Sequence, residues 1–104
     1  MIHNITDRNF SKEVGQHKGT ALVDFWAVWC GPCRMMGPVY EKAAEKYPSM
    51  KFCKINTDEN QAAAQEYGIT GIPCVIVFKD GKEVDRIIGY LPAAQFEEAI
   101  KQYA

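Results

Sequence analysis

An α/β fold, a mixed sheet with helices on both faces, is the prediction for this chain of 104 residues. Three observations carry it. Short apolar runs suited to strands alternate with segments whose hydrophobic residues recur at helical spacing. A hairpin signal and one further helical stripe close the chain. The two most apolar runs, residues 21–28 and 74–78, are not consecutive, which places them side by side at the sheet centre. At this length only one core can be buried, so residues 1–104 are read as a single domain.

Each element has its own signal. Thr6 and Asp7 are placed to cap a first short helix that carries Phe10 and Val14 on one face. Gly19 closes the next loop, and Ala21 to Val28 is a nearly continuous apolar run, as expected of a strand covered on both sides. From Cys33, the residues Met36, Val39, Tyr40, Ala43, Ala44 and Tyr47 keep helical spacing until Pro48 ends the pattern. Met50 to Ile55 alternates as a strand. Asp58 or Glu59 is expected to begin a short helix through Ala62, Ala63 and Ala64, with Gly68 just past its end. Cys74 to Phe78 reads as a buried strand, and Asp80-Gly81 turns it into Glu83–Ile88 as a hairpin. Pro92 opens a last helix with Phe96, Ala99, Ile100 and Tyr103 as its stripe. No repeat, linker or low-complexity tract interrupts this order.

Composition narrows the functional classes. With 47% hydrophobic and 24% charged residues, the chain reads as ordinary, soluble and globular. A net charge of −1 argues against a nucleic-acid binder, which would show a basic face. No apolar run approaches the ~20 residues that cross a bilayer, and the first ten residues lack a signal-peptide core. A cytoplasmic location is therefore expected. In a reducing compartment the four cysteines are redox-active or buried, not a disulfide framework.

The chemistry concentrates in Trp29-Cys30-Gly31-Pro32-Cys33, between an apolar strand and a helical pattern. That setting puts Cys30 at a helix N-terminus, where unpaired N–H groups and the dipole favour the thiolate that attacks disulfides. Gly31 has no Cβ and lets a partner approach, while Pro32 suits a first turn that has no use for its missing N–H. Cys33, about one turn inward, is expected to be the more shielded sulfur. Cys30 is then the attacking sulfur and Cys33 the resolving one. The same spacing occurs in zinc sites, but Cys53 and Cys74 lie in apolar strands without ligand spacing, and His3 and His17 are remote in sequence. No metal is expected.

Asp24 stands inside the apolar strand, where a carboxylate is costly unless paired. It is either a surface-directed residue or a buried acid–base group near Cys33, with Lys54 on another strand as its charge partner; the second reading is preferred. In Gly71-Ile72-Pro73-Cys74 the proline enters an interior strand. Most X-Pro bonds are trans, so composition alone expects trans here. Cys53 and Cys74 read as small buried hydrophobes. A third redox thiol is the alternative for Cys74.

These residues carry a resemblance. Val23-Asp24-Phe25-Trp26-Ala27, Trp29-Cys30-Gly31-Pro32-Cys33, Pro38, Gly71-Ile72-Pro73, Phe78-Lys79-Asp80-Gly81 and Gly89 match, in order, the pattern of the thioredoxin family. The resemblance implies the thioredoxin fold, a five-stranded mixed β-sheet flanked by four α-helices. It implies Cys30 as nucleophile, Cys33 as resolving thiol, Asp24 as buried proton acceptor and Lys54 as its partner. It makes Pro73 a cis proline and puts Trp29, Gly31, Pro32, Gly71, Ile72, Pro73 and Gly89 on a flat surface that receives target proteins, with Trp26 packed beneath. Pro38 resembles the family's interior helix proline. Val28, Arg34 and Gly37 depart from the common pattern, which bears on redox potential and partner preference and not on reaction type, and Cys74 stands where a small residue such as threonine is usual.

The activity so implied is protein-disulfide reduction by a monomer. Disulfide-containing proteins are the targets and a separate thioredoxin reductase is the electron donor. Neither G-x-G-x-x-G nor a P-loop occurs, so no cofactor is expected. An oxidant or isomerase of an export compartment is one rival. A binding module with incidental thiols is another, since fold alone does not settle function.

Overall fold

The computed structural model describes residues 1–104. Five strands form one sheet: β1 (Ile2–Asn4), β2 (Thr20–Trp26), β3 (Lys51–Asn56), β4 (Cys74–Lys79) and β5 (Lys82–Ile88). Their spatial order is β1-β3-β2-β4-β5. β1 and β2 flank β3 in parallel, whereas β4 runs antiparallel to both β2 and β5. The helices are a short one at Ser11–Gly15, then α1 (Gly31–Lys46), α2 (Gln61–Glu66) and α3 (Ala93–Ile100), which ends in a tight turn at Lys101–Tyr103.

The expected adjacency of the two most apolar runs holds, with Phe25 opposite Cys74 and Val23 opposite Ile76. Side chains alternate across the sheet, so β2 feeds two cores. Leu22 joins Phe52, Val75 and Val77 under α1 and α3, where Met36, Tyr40, Phe96 and Ile100 are fully buried. Val23 and Phe25 join Cys53, Ile55, Cys74 and Ile76 under the short helix and Ala63 of α2. The Tyr40 hydroxyl, buried in the first core, donates to the carbonyl of Cys53 at 2.7 Å. That bond removes the cost of an unpaired phenol.

Several local expectations are corrected. The apolar run ends as strand at Trp26, because Thr57 N–H takes its carbonyl at 2.9 Å and Cys30 N–H bonds back to Ala27 at 3.2 Å. Ala27 to Cys30 is thus a turn, and Val28 is 64% exposed. Strand β1 went unread because three residues are too few to show a period; its pairing with β3 defines it. The short helix has no side-chain cap, and it winds wide, with Gln16 N–H on the Ser11 carbonyl at 2.8 Å. Asp7 caps a different helix. Its two carboxylate oxygens accept from the N–H groups of Ala62 and Ala63 in the first turn of α2, at 3.1 and 2.9 Å. That helix starts at Gln61, after Asp58 and Glu59, which lie in the preceding turn.

The hairpin turn is as expected. Asp80 and Gly81 have φ of 50° and 82°, both left-handed, as a type I′ turn requires. Asp80 also ties the turn to the loop before β2, accepting from Gly19 N–H at 2.7 Å. A methyl group on Gly81 would run into the carbonyl of Gly15. Gly81→Ala is therefore expected to cost about 2 kcal/mol or more. Gly37 lies within α1, where an added Cβ would meet nothing within 4 Å. Gly37→Ala is expected to add about 0.5–1 kcal/mol. Urea midpoints falling on opposite sides of the parent check the pair.

Candidate active site

Cys30 and Cys33 are joined as a disulfide with a Cα–Cα separation of 5.2 Å, at the entrance to α1. Cys30 is the N-cap, in extended conformation, and its Sγ accepts from Cys33 N–H at 3.2 Å. Gly31 and Pro32 fill the first helical positions, so the proline removes no intrahelical bond. One expectation fails. Cys33 is not the more shielded residue of the pair, which are 4% and 6% exposed. What distinguishes them is position relative to the helix: Cys30 lies outside it, at the positive end of the dipole, and Cys33 lies within it.

The surroundings gather residues distant in sequence. Ala27 packs with both cysteines, and Trp26 and Ile72 lie against the three. The Ile72 carbonyl is 3.8 Å from Cys30 Sγ. The Ile72–Pro73 bond is cis, against composition and in line with the resemblance. The Pro73 carbonyl accepts from Gly89 N–H at 2.8 Å, and Gly71 approaches the Ile88 side chain. Trp29 is 66% exposed beside the bridge, while Gly31 is half-buried and Pro32 is open to solvent. The structure thus brings Ile72, Pro73, Gly71 and Gly89 to one place and links it to Cys30 through Ile72.

Asp24 is buried, 1% exposed, and its Oδ1 has no hydrogen-bond partner among protein atoms. Burial pushes its carboxyl up from 3.8 to about 7, and the Lys54 charge pulls partly the other way. Lys54 faces Asp24 across the β2–β3 ladder, yet the two make no ion pair. The Lys54 ammonium instead sits 5.0 Å from the centroid of the Trp26 ring. A cation over an indole face is favoured by the ring quadrupole. The expected partnership of Lys54 and Asp24 is therefore a through-space one.

Asp58 was missed as a site residue. Its Oδ2 accepts from Trp29 Nε1 at 2.9 Å and fixes the exposed indole. The acidic residue was visible in the sequence, but only the fold carries it to the tryptophan. Cys53 and Cys74 are free, buried thiols, as their apolar settings implied. Desolvation pushes Cys53 up to about 11 and raises Cys74 as well. They lie on strands separated by β2, two residues out of register. That offset is roughly 11 Å, beyond the reach of a disulfide.

Comparison with known proteins agrees with this geometry. The family model for Thioredoxin matches residues 1–102. The chain is 47% identical over 103 residues to a thioredoxin of Porphyra purpurea, covering 98% of this chain and 96% of that one. It is 43% identical over 100 residues to thioredoxin 1 of Synechococcus elongatus, with coverage of 95% and 94%. It is 41% identical over 104 residues to a thioredoxin of Listeria monocytogenes, with 99% of each chain covered.

The buried acid sets a pH dependence. A carboxyl raised from 3.8 to about 7 holds its proton in the folded protein where the unfolded chain has lost it. Stability from this group therefore falls as pH rises between those values. Asp24→Asn removes the penalty, worth up to about 4 kcal/mol above pH 7. In the oxidised protein, the variant should gain on the parent progressively from pH 5 to 8 in urea unfolding. Parallel curves would count against a buried carboxyl that titrates near neutrality.

Proposed function

The chain belongs to the thioredoxin family and carries out dithiol–disulfide exchange, and from that premise we propose how its residues divide the work. The observation that carries the reading is the Cys30 sulfur at the N-cap of α1, where it accepts the Cys33 N–H. A negative sulfur is favoured there, so Cys30 is the attacking thiolate.

Its attack on a target disulfide forms a mixed disulfide and expels one target thiolate. Cys33 then loses its proton and attacks Cys30 Sγ, expelling the second target thiolate. The target gains two electrons, and this chain ends as the Cys30–Cys33 disulfide. Asp24, with its carboxyl near 7, takes the proton from Cys33 through water. Lys54 biases that carboxyl toward its ionised form. Trp29, Gly31, Pro32, Gly71, Ile72, Pro73 and Gly89 receive the target backbone.

The cycle returns to the dithiol by electrons from a thioredoxin reductase. No helix is long and apolar enough to cross a membrane. The Thioredoxin family model, matched over residues 1–102, supports reading the chain as one domain, and the proposal includes a monomer working in the cytoplasm. The Gly31-Pro32 pair supports the reducing role over the oxidising one.

The test is reduction of a protein disulfide with dithiothreitol as electron source. Cys30→Ser is expected to fall to the rate of dithiothreitol alone. Cys33→Ser, reduced beforehand and freed of dithiothreitol, is expected to accumulate a mixed disulfide with the target at Cys30, visible by intact mass. If Cys30→Ser matched the parent, the proposed roles would be wrong.

A further inference from the structure

Six large hydrophobic side chains are well exposed, and four of them belong to the surroundings of the bridge. Val28, Trp29 and Met35 flank it in the chain, and Ile88 lies against Gly71. Two ionised groups are set into this apolar rim, and both are anchored. Asp58 holds the Trp29 indole N–H at 2.9 Å, and Arg34 Nη1 donates to the carbonyl of Val28 at 2.9 Å. The anchoring residues are neighbours in the chain. The Val28–Trp29 segment therefore holds one anion, through the Trp29 indole, and one cation, through the Val28 carbonyl.

The two charges differ in what they have left to offer. Asp58 spends one carboxylate oxygen on the Trp29 indole, and its backbone N–H donates to Asn56 Oδ1 at 2.9 Å. Arg34 uses one of the five donors of a guanidinium and forms no ion pair with any carboxylate of the chain. Its Nη2 lies 4.0 Å from the point where a side chain on Gly31 would begin. A guanidinium with unspent donors is thus folded over the glycine next to Cys30. Val28, the residue that holds it, brings no charge to neutralise it.

We infer that Arg34 is a specificity-determining residue, receiving an acidic side chain that flanks the disulfide of the target polypeptide. This rests on the reductase reading above and names the substrate class for that same site. A planar guanidinium matches a carboxylate with two parallel hydrogen bonds, and its anchor at Val28 means little side-chain freedom is lost on engagement. The apolar side chains around it exclude water once a target covers them, which strengthens the pair. The like charge of Arg34 disfavours a basic flank at the same place.

Three disulfide-bearing peptides, identical except for Glu, Gln or Lys beside one cysteine, test this with the whole protein. Dithiothreitol recharges the protein, at a concentration high enough that peptide reduction limits the rate. In kcat/KM the parent should prefer the Glu peptide over the Gln peptide by roughly two- to five-fold, the size expected of one exposed ion pair. The Lys peptide should be the slowest. The Glu/Gln ratio should fall to one in Arg34→Gln, survive in part in Arg34→Lys, and shrink at high salt; taking the ratio within each variant cancels any change common to all peptides. Reduction of all three peptides without a Glu preference, or with one that survives Arg34→Gln, overturns the inference alone. Failure to reduce any peptide overturns the reductase reading with it.

Discussion

One sulfur at the mouth of one helix organises this molecule. Cys30 Sγ takes the Cys33 N–H at 3.2 Å, a donor that an α-helix otherwise leaves without a partner. The same contact that caps the helix makes a negative charge on the sulfur less costly. Structural and chemical demands on Cys30 therefore coincide. The helix must be held rigidly for this to work, and Met36, Val39, Tyr40, Ala43 and Ala44 lock it onto the sheet. Pro38 removes one backbone bond within α1, and the assigned helix continues through it to Lys46.

The sheet that supports the helix also carries its least favourable residue. Asp24 occupies the central strand with neighbours on both sides, Lys54 on β3 and Val75 on β4. Burial alone would keep it protonated far above the usual carboxylate range. The through-space pull of Lys54 leaves it near neutrality instead. A carboxyl poised there exchanges protons readily at working pH, which a surface aspartate does not. Stability is given up at this position, and under the proposed division of roles it yields a group matched to the reaction.

The outer face follows a different logic. Its exposed hydrophobics are not covered by any element of the chain, and the two ionised groups among them are pinned by Trp29 and Val28. An apolar rim with oriented charges suits a transient partner, because binding then orders little that was free. The cis bond before Pro73 and the Gly89 N–H on its carbonyl complete the same face from β4 and β5.

Read alone, the sequence already determined the order of the main strands and helices, the Asp80-Gly81 hairpin, the central pairing of the two apolar runs and the dithiol at a helix entrance. Those features have local signatures: a period of two or 3.6, a turn dipeptide, a motif bounded by a strand and a helix. Tertiary structure decided the rest. Asp7 reaches across the fold to cap α2, Lys54 settles over Trp26 instead of bonding Asp24, and Asp58 holds Trp29. Both cysteines are equally covered because Ala27, Trp26 and Ile72 close around them from separate segments. Three-residue β1 exists only by pairing with β3. Each of these outcomes depends on contacts between residues far apart in the chain, worth about 1 kcal/mol apiece and leaving no periodic trace in their own neighbourhoods.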